Sequence, residues 1–339
     1  MIRVGIVGLG FMGKMHFRCY KALENVELAA ICDINESVFQ DAGGTAGNIA
    51  GAEKPLDLTG IELYTDFKKM LKKANLDAVS ITLPTYLHAE YTVKALRAGL
   101  NVLCEKPMAL NTRQCKRMLT AAEESGKILQ IGHCIRFWPE YVKTKEIIDS
   151  GEYGKILSAT FRRLSMTPIW SWNNWILDVE RSGAAALDLH IHDTDYVQYV
   201  FGVPKAVTSF GFKGESQGYD QILTHYHYED GKNINAEGGW IFGNSFGFTM
   251  SFDIAFEKAT ICYDCNRTPA FKVCPQDGDA FTPEVLPGDG YSREIEHFVK
   301  IVQGQSLPAV TTPEQSMMSV KLIELENKSA TTGRTAAVK

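Results

Sequence analysis

An apolar run that leads straight into a glycine turn and then a helix leaves a chain few ways to fold. Here IRVGIVG reads as a buried strand, Gly8-Leu9-Gly10-Phe11-Met12-Gly13 as the turn, and MGKMHFRCYKAL continues at helical spacing. The spacing G-x-G-x-x-G has a mechanical meaning. Gly8 permits the tight turn, Gly10 lets the backbone approach a pyrophosphate, and Gly13 lets helix and strand pack closely. The helix N-terminus beginning at Phe11 and Met12 then offers unpaired N–H donors to phosphate. The next strand, VELAAICD, ends at Asp33, 20 residues beyond Gly13. A carboxylate there accepts from both ribose hydroxyls of adenosine and repels a 2'-phosphate, and Ile34 and Asn35 supply no cation, so NAD is expected in preference to NADP.

With 339 residues, 45% of them hydrophobic, the chain can build two domains with separate cores. A formal net charge of -5 gives no reason to expect nucleic acid or an anionic membrane as partner. No apolar run reaches the roughly 18 residues needed to span a bilayer. The apolar start is broken by alternation and glycines, so it reads as strand and turn and not as a signal peptide. Eight scattered cysteines form no secreted-type framework, and Cys32 and Cys104 fall in apolar strand-like runs, which fits a cytoplasmic protein with buried thiols. CYDC at 262–265 has half a zinc spacing but no second close pair, and no metal is expected there.

Strand and helix patterns alternate on through LDAVSITLP, YLHAEYTVKALRAG, NVLCEKP, TRQCKRMLTAAEESG and KILQIGH. This predicts a parallel α/β dinucleotide domain over residues 1–130, whose ligands gather beyond the carboxyl ends of the strands. Gly8–Gly13, Asp33, Thr82–Thr85 and Glu105-Lys106-Pro107 all fall at such ends. Lys106 is placed either to reach the nicotinamide and a substrate hydroxyl or to face solvent from a loop. His88 either lines the cofactor cleft or has a helix-capping or surface role. Beyond Gly132 the rhythm changes to extended segments at 155–163, 206–212, 221–228, 233–240, 245–252 and 259–266, with late helices near 291–303 and 313–329. Short turns between the segments predict a large open, mostly antiparallel sheet in a second domain, residues 131–339, with the active site in the cleft between the domains. So broad a sheet needs cover, which predicts a homodimer or homotetramer formed through it.

SGAAALDLHIHDTDYVQYVFG holds two histidines and three aspartates between Asp188 and Asp195. Ser182 as N-cap and Gly202 with Pro204 as terminator predict a helix over most of 183–201. On a helix Asp188 and His192 share a face with Asp195 at its edge, while His190 lies roughly 200° from His192. That geometry opposes metal chelation. It leaves either a carboxylate–imidazole pair for proton transfer or a buried histidine satisfied by an aspartate. In the preceding loop MTPIWSWNNWILD, Trp170, Trp172 and Trp175 either wall a sugar-like substrate or pack against the sheet. Asn173 and Asn174 could donate to hydroxyls. His225 and His227 share one strand face without a third ligand.

GIVGLGFMGKMH, VSITLPTYLHAEYTVKALRAGLNVLCEKPMAL, GHCIRFWPEY, SGAAALDLHIHDTD and LIELENKSATTGR together resemble the Gfo/Idh/MocA oxidoreductases, which include inositol, glucose and other sugar dehydrogenases. The resemblance spans nearly the whole chain. It implies a Rossmann domain, a second α/β domain with an open sheet, and hydride transfer between NAD and a cyclic polyol or sugar. It further implies that Lys106 polarises the reacting oxygen, His192 takes its proton and Asp188 holds and tunes the site. Cofactor contacts are implied for Thr82, Pro84, His88, Glu105, Lys106 and Arg136, and Trp172 and Asn173 are the candidate substrate contacts from the loop. Alternatives within the same resemblance are an NAD-dependent glycosidase working by transient oxidation and elimination, and a non-catalytic dinucleotide-binding regulator. The family often has consecutive glycines where this chain has Gly183-Ala184-Ala185, and glycine where it has His190. An imidazole at the cleft is expected to contact substrate or reduce its space.

Overall fold

The computed structural model describes residues 1–40 and 55–339. Contacts group them into two units, Met1–Cys134 with Asp289–Met317 and Ile135–Gly288 with Met318–Lys339.

In the first unit, strands β1 (Ile2–Val7), β2 (Val26–Cys32), β3 (Glu62–Tyr64), β4 (Ala78–Ile81), β5 (Asn101–Glu105) and β6 (Leu129–Gly132) form one sheet in the order β3-β2-β1-β4-β5-β6. Every pairing is parallel. This is the dinucleotide-binding order, and it reverses between β1 and β4, where a crevice opens beyond the strand ends. The connecting helices are α1 (Phe11–Lys21), α2 (Phe67–Lys73), α3 (Thr85–Arg97) and α4 (Thr112–Ser125). Their ends follow ordinary chemistry. Asp66 caps α2 by accepting from the amides of Lys68 and Lys69, Asn111 caps α4, and Gly126 ends α4 in the left-handed region. Of the helices late in sequence, α8 (Gly290–Val302) buries Ile295, Phe298 and Val299 in the same core as Ile2, Val4, Phe17 and Tyr20. Its start is fixed by a reciprocal cap between Asp289 and Ser292.

In the second unit, α5 (Pro139–Ser150) precedes β7 (Ile156–Met166), β8 (Ala206–Lys213), β9 (Tyr219–His227), β10 (Asn233–Phe242), β11 (Phe248–Phe256), β12 (Ala259–Asp264), β13 (Phe271–Pro275) and β14 (Ala336–Ala337). They form one sheet in the order β13-β12-β11-β7-β10-β9-β8-β14. All its neighbours run antiparallel except β7 and β10. The expected open, mostly antiparallel sheet is thus present, with two strands, β13 and β14, that the sequence pattern did not mark. The segment expected at 245–252 begins later, because Asn244–Phe246 form a 3-10 turn and Gly247 takes φ +77°. Tyr141, Phe161, Tyr196 and Phe252 pack edge-on or tilted as a buried aromatic cluster under the sheet.

The helix expected over most of 183–201 is broken. A short α6 (Val179–Ser182) stops at Gly183, whose φ is +79°, and Ala184 follows at φ +60°. Residues Ala186–His190 then make a π turn that passes into α7 (Ile191–Phe201). Ser182 is therefore not the N-cap of one long helix. Its Oγ accepts from the Ala184 amide at 2.9 Å and lies 2.7 Å from the Ile176 carbonyl. Left-handed backbone is costly for alanine, by about 1–2 kcal/mol. It is accommodated because Gly218 stands opposite, where a Cβ would come within 2.5 Å of the Ala184 methyl.

Candidate active site

The glycine turn does mechanically what its spacing predicts. Gly8 has φ +95°, a conformation that L side chains rarely adopt. A Cβ on Gly13 would lie 1.9 Å from the Gly8 carbonyl oxygen, so only glycine lets α1 start so near the end of β1. A Cβ on Gly10 would meet nothing within 4 Å, leaving that face of the loop open. Gly10 also caps α1 without a side-chain bond, and no acidic residue occupies the first turn, so the positive end of the helix is available to phosphate. Thr82 is buried, and its Oγ1 lies 2.6 Å from the Gly8 carbonyl and 3.1 Å from that of Val7. It shapes the loop from beneath. Pro84 sits at the N-cap of α3.

Asp33 closes the same end of the sheet. Its Oδ2 accepts from the Leu9 amide at 2.7 Å and its Oδ1 from the Asn35 amide at 2.8 Å. The carboxylate is thus aimed at the glycine loop, and each oxygen keeps capacity for a further donor such as a ribose hydroxyl. Open loop, free helix end and fixed carboxylate fit NAD.

At the end of β5, Lys106 is partly exposed while Glu105 before it and Pro107, Met108 and Ala109 after it are buried. A lysine with such neighbours is held by its surroundings, unlike one on a solvated loop. His88 is buried. Its Nδ1 lies 2.7 Å from the Pro107 carbonyl and its Nε2 2.8 Å from that of Leu83, so the ring brackets the segment that carries Lys106. Burial pushes its pKa down, with the carbonyl contacts opposing. Burial excludes the surface role that sequence left open for His88, because the ring is enclosed by the two carbonyls it bridges.

Beneath Lys106 lies a buried polar group that sequence patterns did not single out. His16 Nε2 lies 2.9 Å from Glu105 Oε1 and His16 Nδ1 3.0 Å from Ser80 Oγ, which is in turn 2.7 Å from the Tyr20 hydroxyl. The Lys106 amide donates to Glu105 Oε2 at 3.2 Å. Burial works to raise the Glu105 pKa, but the His16 contact and the Lys106 charge outweigh it and hold the carboxyl below its usual range. Glu294 of α8 faces this group fully buried, with both carboxyl oxygens lacking a hydrogen-bond partner. Its pKa is raised well above the usual 4.5 by burial and then by the Glu105 and Asp289 charges.

A carboxyl raised in this way binds its proton more tightly folded than unfolded. Its contribution is complete below the ordinary glutamate pKa and is lost as pH rises toward the folded value. Glu294→Gln should therefore match wild type near pH 4.5 and become relatively more stable above it, by at most about 1.4 kcal/mol per pH unit. Denaturant melts across pH read this directly. A variant less stable at every pH would instead mean that Glu294 is charged, as in a cation site shared with His16 and Glu105.

In the second unit, Asp188 on the π turn and His192 on α7 are both half-buried. Four residues exceed one α turn and fall short of one π turn, so the wider turn keeps the pair on one face. Asp195, expected at the edge of that face, is buried and held in an ion pair. Its carboxylate accepts from Arg136 Nε and Nη2, both at 2.8 Å, and from Ser319 Oγ at 2.6 Å, all buried. Arg136, for which the resemblance implies a cofactor contact, is buried with its fork on this carboxylate and stacks over Tyr199. Asp193 is likewise bound to Arg163, at 2.9 and 3.0 Å.

His190 is completely buried, so the substrate contact expected of it is not made. Its side chain turns toward β10 and Glu326 because the next turn of the helix packs on the sheet. Trp172 is about half exposed at 51% and Asn173 is exposed. Asn173 and Asn174 occupy consecutive left-handed positions, while Ile176 and Leu177 of the same loop pack on Trp240. The loop is pinned by its apolar end and presents its tryptophan and asparagines outward. His225 and His227 stack edge-on at 4.6 Å and bond to Asn235 and Thr208.

Two family models match this chain. One, an oxidoreductase family with an NAD-binding Rossmann fold, covers residues 2–133, and the GFO/IDH/MocA C-terminal domain covers residues 141–262. The chain belongs to the Gfo/Idh/MocA oxidoreductase family. Its first unit is an NAD-binding domain. Among curated members of the family, a D-glucoside 3-dehydrogenase of Escherichia coli is 27% identical over 98% of this chain and 96% of its own length. A 2,7-anhydro-N-acetylneuraminate hydratase of Mediterraneibacter gnavus is 30% identical over 70% of this chain and 61% of its own length. The crystal structure of the WlbA dehydrogenase from Bordetella pertussis with NADH and UDP-GlcNAcA shares the fold. Its TM-score is 0.82 at 22% identity, covering 100% of this chain and 99% of that one. Among the described residues no helix is long and apolar enough to cross a membrane, and all eight cysteines are free.

Proposed function

We propose that this Gfo/Idh/MocA member is a dehydrogenase that moves hydride between NAD and a carbinol or carbonyl of a cyclic polyol or sugar. The observation that carries the reading is Lys106, a partly exposed lysine set among buried neighbours just beyond the end of an inner strand of an NAD-binding sheet. Bound NAD would supply a nicotinamide C4 that accepts hydride from the carbinol carbon. Gly8–Gly13 with the amides of Phe11 and Met12 would hold its pyrophosphate, and Asp33 the adenosine ribose. Lys106 polarises the substrate oxygen, and the imidazole of His192 takes the hydroxyl proton as the carbonyl forms. Asp188 stabilises the imidazolium. Positioning of the reacting groups would supply much of the rate. Trp172 would stack on a sugar face and Asn173 bond its hydroxyls. Phe210 and Phe212 are exposed on β8, with Leu223 directly opposite Phe210, which supports homo-oligomerisation through the second sheet.

Similarity to sugar and inositol dehydrogenases supports the substrate class, and similarity to a hydratase favours one second reading, transient oxidation without net redox change. A panel of cyclic polyols, aldoses and glycosides with NAD and NADP separates the two. The dehydrogenase accumulates NADH with at least one free polyol or sugar and prefers NAD. Cleaved or hydrated product without net NADH would establish the second reading, and NAD binding without any turnover would point to a regulator.

A further inference from the structure

The segment that carries Asp188 and His192 contains one residue whose chemistry the proposed reaction leaves unused. His190 sits between them on the π turn, with no exposed surface. Its Nε2 lies 3.0 Å from Glu326 Oε2, and that carboxylate is itself fully buried on α9 (Pro313–Thr332). The other Glu326 oxygen accepts from Thr194 Oγ1 at 3.2 Å, and Thr194 also contacts the Tyr226 hydroxyl at 2.9 Å. Tyr226 faces the same carboxylate, and burial first, then the Glu326 charge, pushes its pKa well above the ordinary range.

On its opposite side His190 rests on β10 at Gly238. A Cβ there would come within 2.7 Å of the His190 Cβ and 2.9 Å of its Cα. The glycine therefore makes room for the π turn itself as well as for the ring. Neither ring nitrogen of His190 is aligned for a hydrogen bond. Burying an imidazole in this way stabilises the fold poorly, whereas a side chain wedged between a fixed carboxylate and a fixed strand is well suited to hold backbone. Single π turns inside helices are frequent at functional sites.

We propose that His190, clamped between Glu326 and Gly238, is a positioning residue that holds the π turn and thereby sets Asp188 against His192. Glu326 acts through His190 and touches no substrate. The inference rests on the proposed proton-transfer role of His192, which a loss of geometry would expose.

Glu326→Gln preserves shape while removing charge, Glu326→Asp keeps the charge, and Gly238→Ala displaces the turn from its other side. The titration of the His192 ring, followed by NMR in each full-length protein with NAD, reads the geometry without any substrate. Steady-state kinetics on the best substrate of the panel reads its consequence. Glu326→Gln and Gly238→Ala are expected to shift the His192 titration midpoint and the acid limb of kcat/KM by the same amount. They should lower kcat about 10- to 100-fold, the usual cost of losing a residue that orients a reactive ligand or base, and leave the Kd for NAD within twofold. Glu326→Asp should restore part of the loss. Should a Glu326 variant fail to fold, Gly238→Ala decides alone. An unmoved His192 titration with kcat within twofold in folded Glu326→Gln or Gly238→Ala overturns the positioning role. A His192 titration that shifts in the variants while wild type oxidises no substrate of the panel leaves the positioning role standing and rejects the dehydrogenase.

Discussion

Lys106→Ala is expected to lower kcat by two to four orders of magnitude while the Kd for NAD changes by less than about threefold. A positioned group that polarises the reacting oxygen and assists its proton contributes roughly 10²–10⁴-fold, or about 3–5 kcal/mol of barrier. Gly8–Gly13 and Asp33, proposed to hold the pyrophosphate and adenosine, follow other strands and are unaltered by the change. Lys106→Arg should rescue little, because a planar guanidinium cannot replace a compact ammonium at one oxygen. Isothermal titration with NAD and steady-state assays on the preferred polyol check both halves. Turnover within tenfold of wild type would remove Lys106 from the chemistry, and a parallel loss of NAD affinity would reassign it to cofactor binding.

The second large effect is expected at Gly13. The added Cβ of Gly13→Ala would meet a backbone carbonyl, Gly8 O, at 1.9 Å, with Thr82 Oγ1 3.1 Å away. A backbone atom cannot rotate aside, so α1 must move from the sheet and carry the phosphate-facing amides with it. Overpacking of this kind costs about 1–3 kcal/mol and sometimes more. In a unit of this size that lowers Tm by roughly 2–4 °C per kcal/mol. NAD affinity should fall at least 100-fold. Gly10→Ala provides the contrast. Its Cβ meets nothing within 4 Å of the protein, so the Tm without cofactor should hold while NAD binding is blocked. Calorimetry with and without NAD distinguishes the two, and equal behaviour of both variants would refute the division of labour among the glycines.

Much of the first unit was legible because each of its signals is local. A glycine that must take φ +95°, a helix that must start beside a strand and a carboxylate one strand later are set within 33 residues. His16 could have been suspected, since it follows Gly13 by three residues on the same helix and points under the sheet. Glu294 could not, because its approach to Glu105 depends on α8 packing against α1. In the second unit the period-two pattern marked most strands but not their order, and β14 is two residues paired to a distant strand. Helical spacing grouped Asp188 with His192, and the structure places both half-buried, four residues apart across the π turn and the start of α7. It also set Asp195 at the edge of that face, without showing that a buried ion pair holds its carboxylate. A buried arginine outcompetes any local arrangement for a carboxylate, and no periodicity reveals where Arg136 will lie.

Residue order alone therefore determined the NAD fold and the strand end that carries Lys106, since both follow from steric and periodic rules acting over a few turns of chain. Tertiary packing decided which polar side chains stay available. It placed Asp193, Asp195 and Arg136 in buried ion pairs, because a charge removed from water needs an opposite one, and set the buried His190 ring against Glu326; each partner came from a different element. The π turn belongs to the same category. It exists where Gly238 and Glu326 make room for His190, a fit that only the assembled sheet and helices can impose.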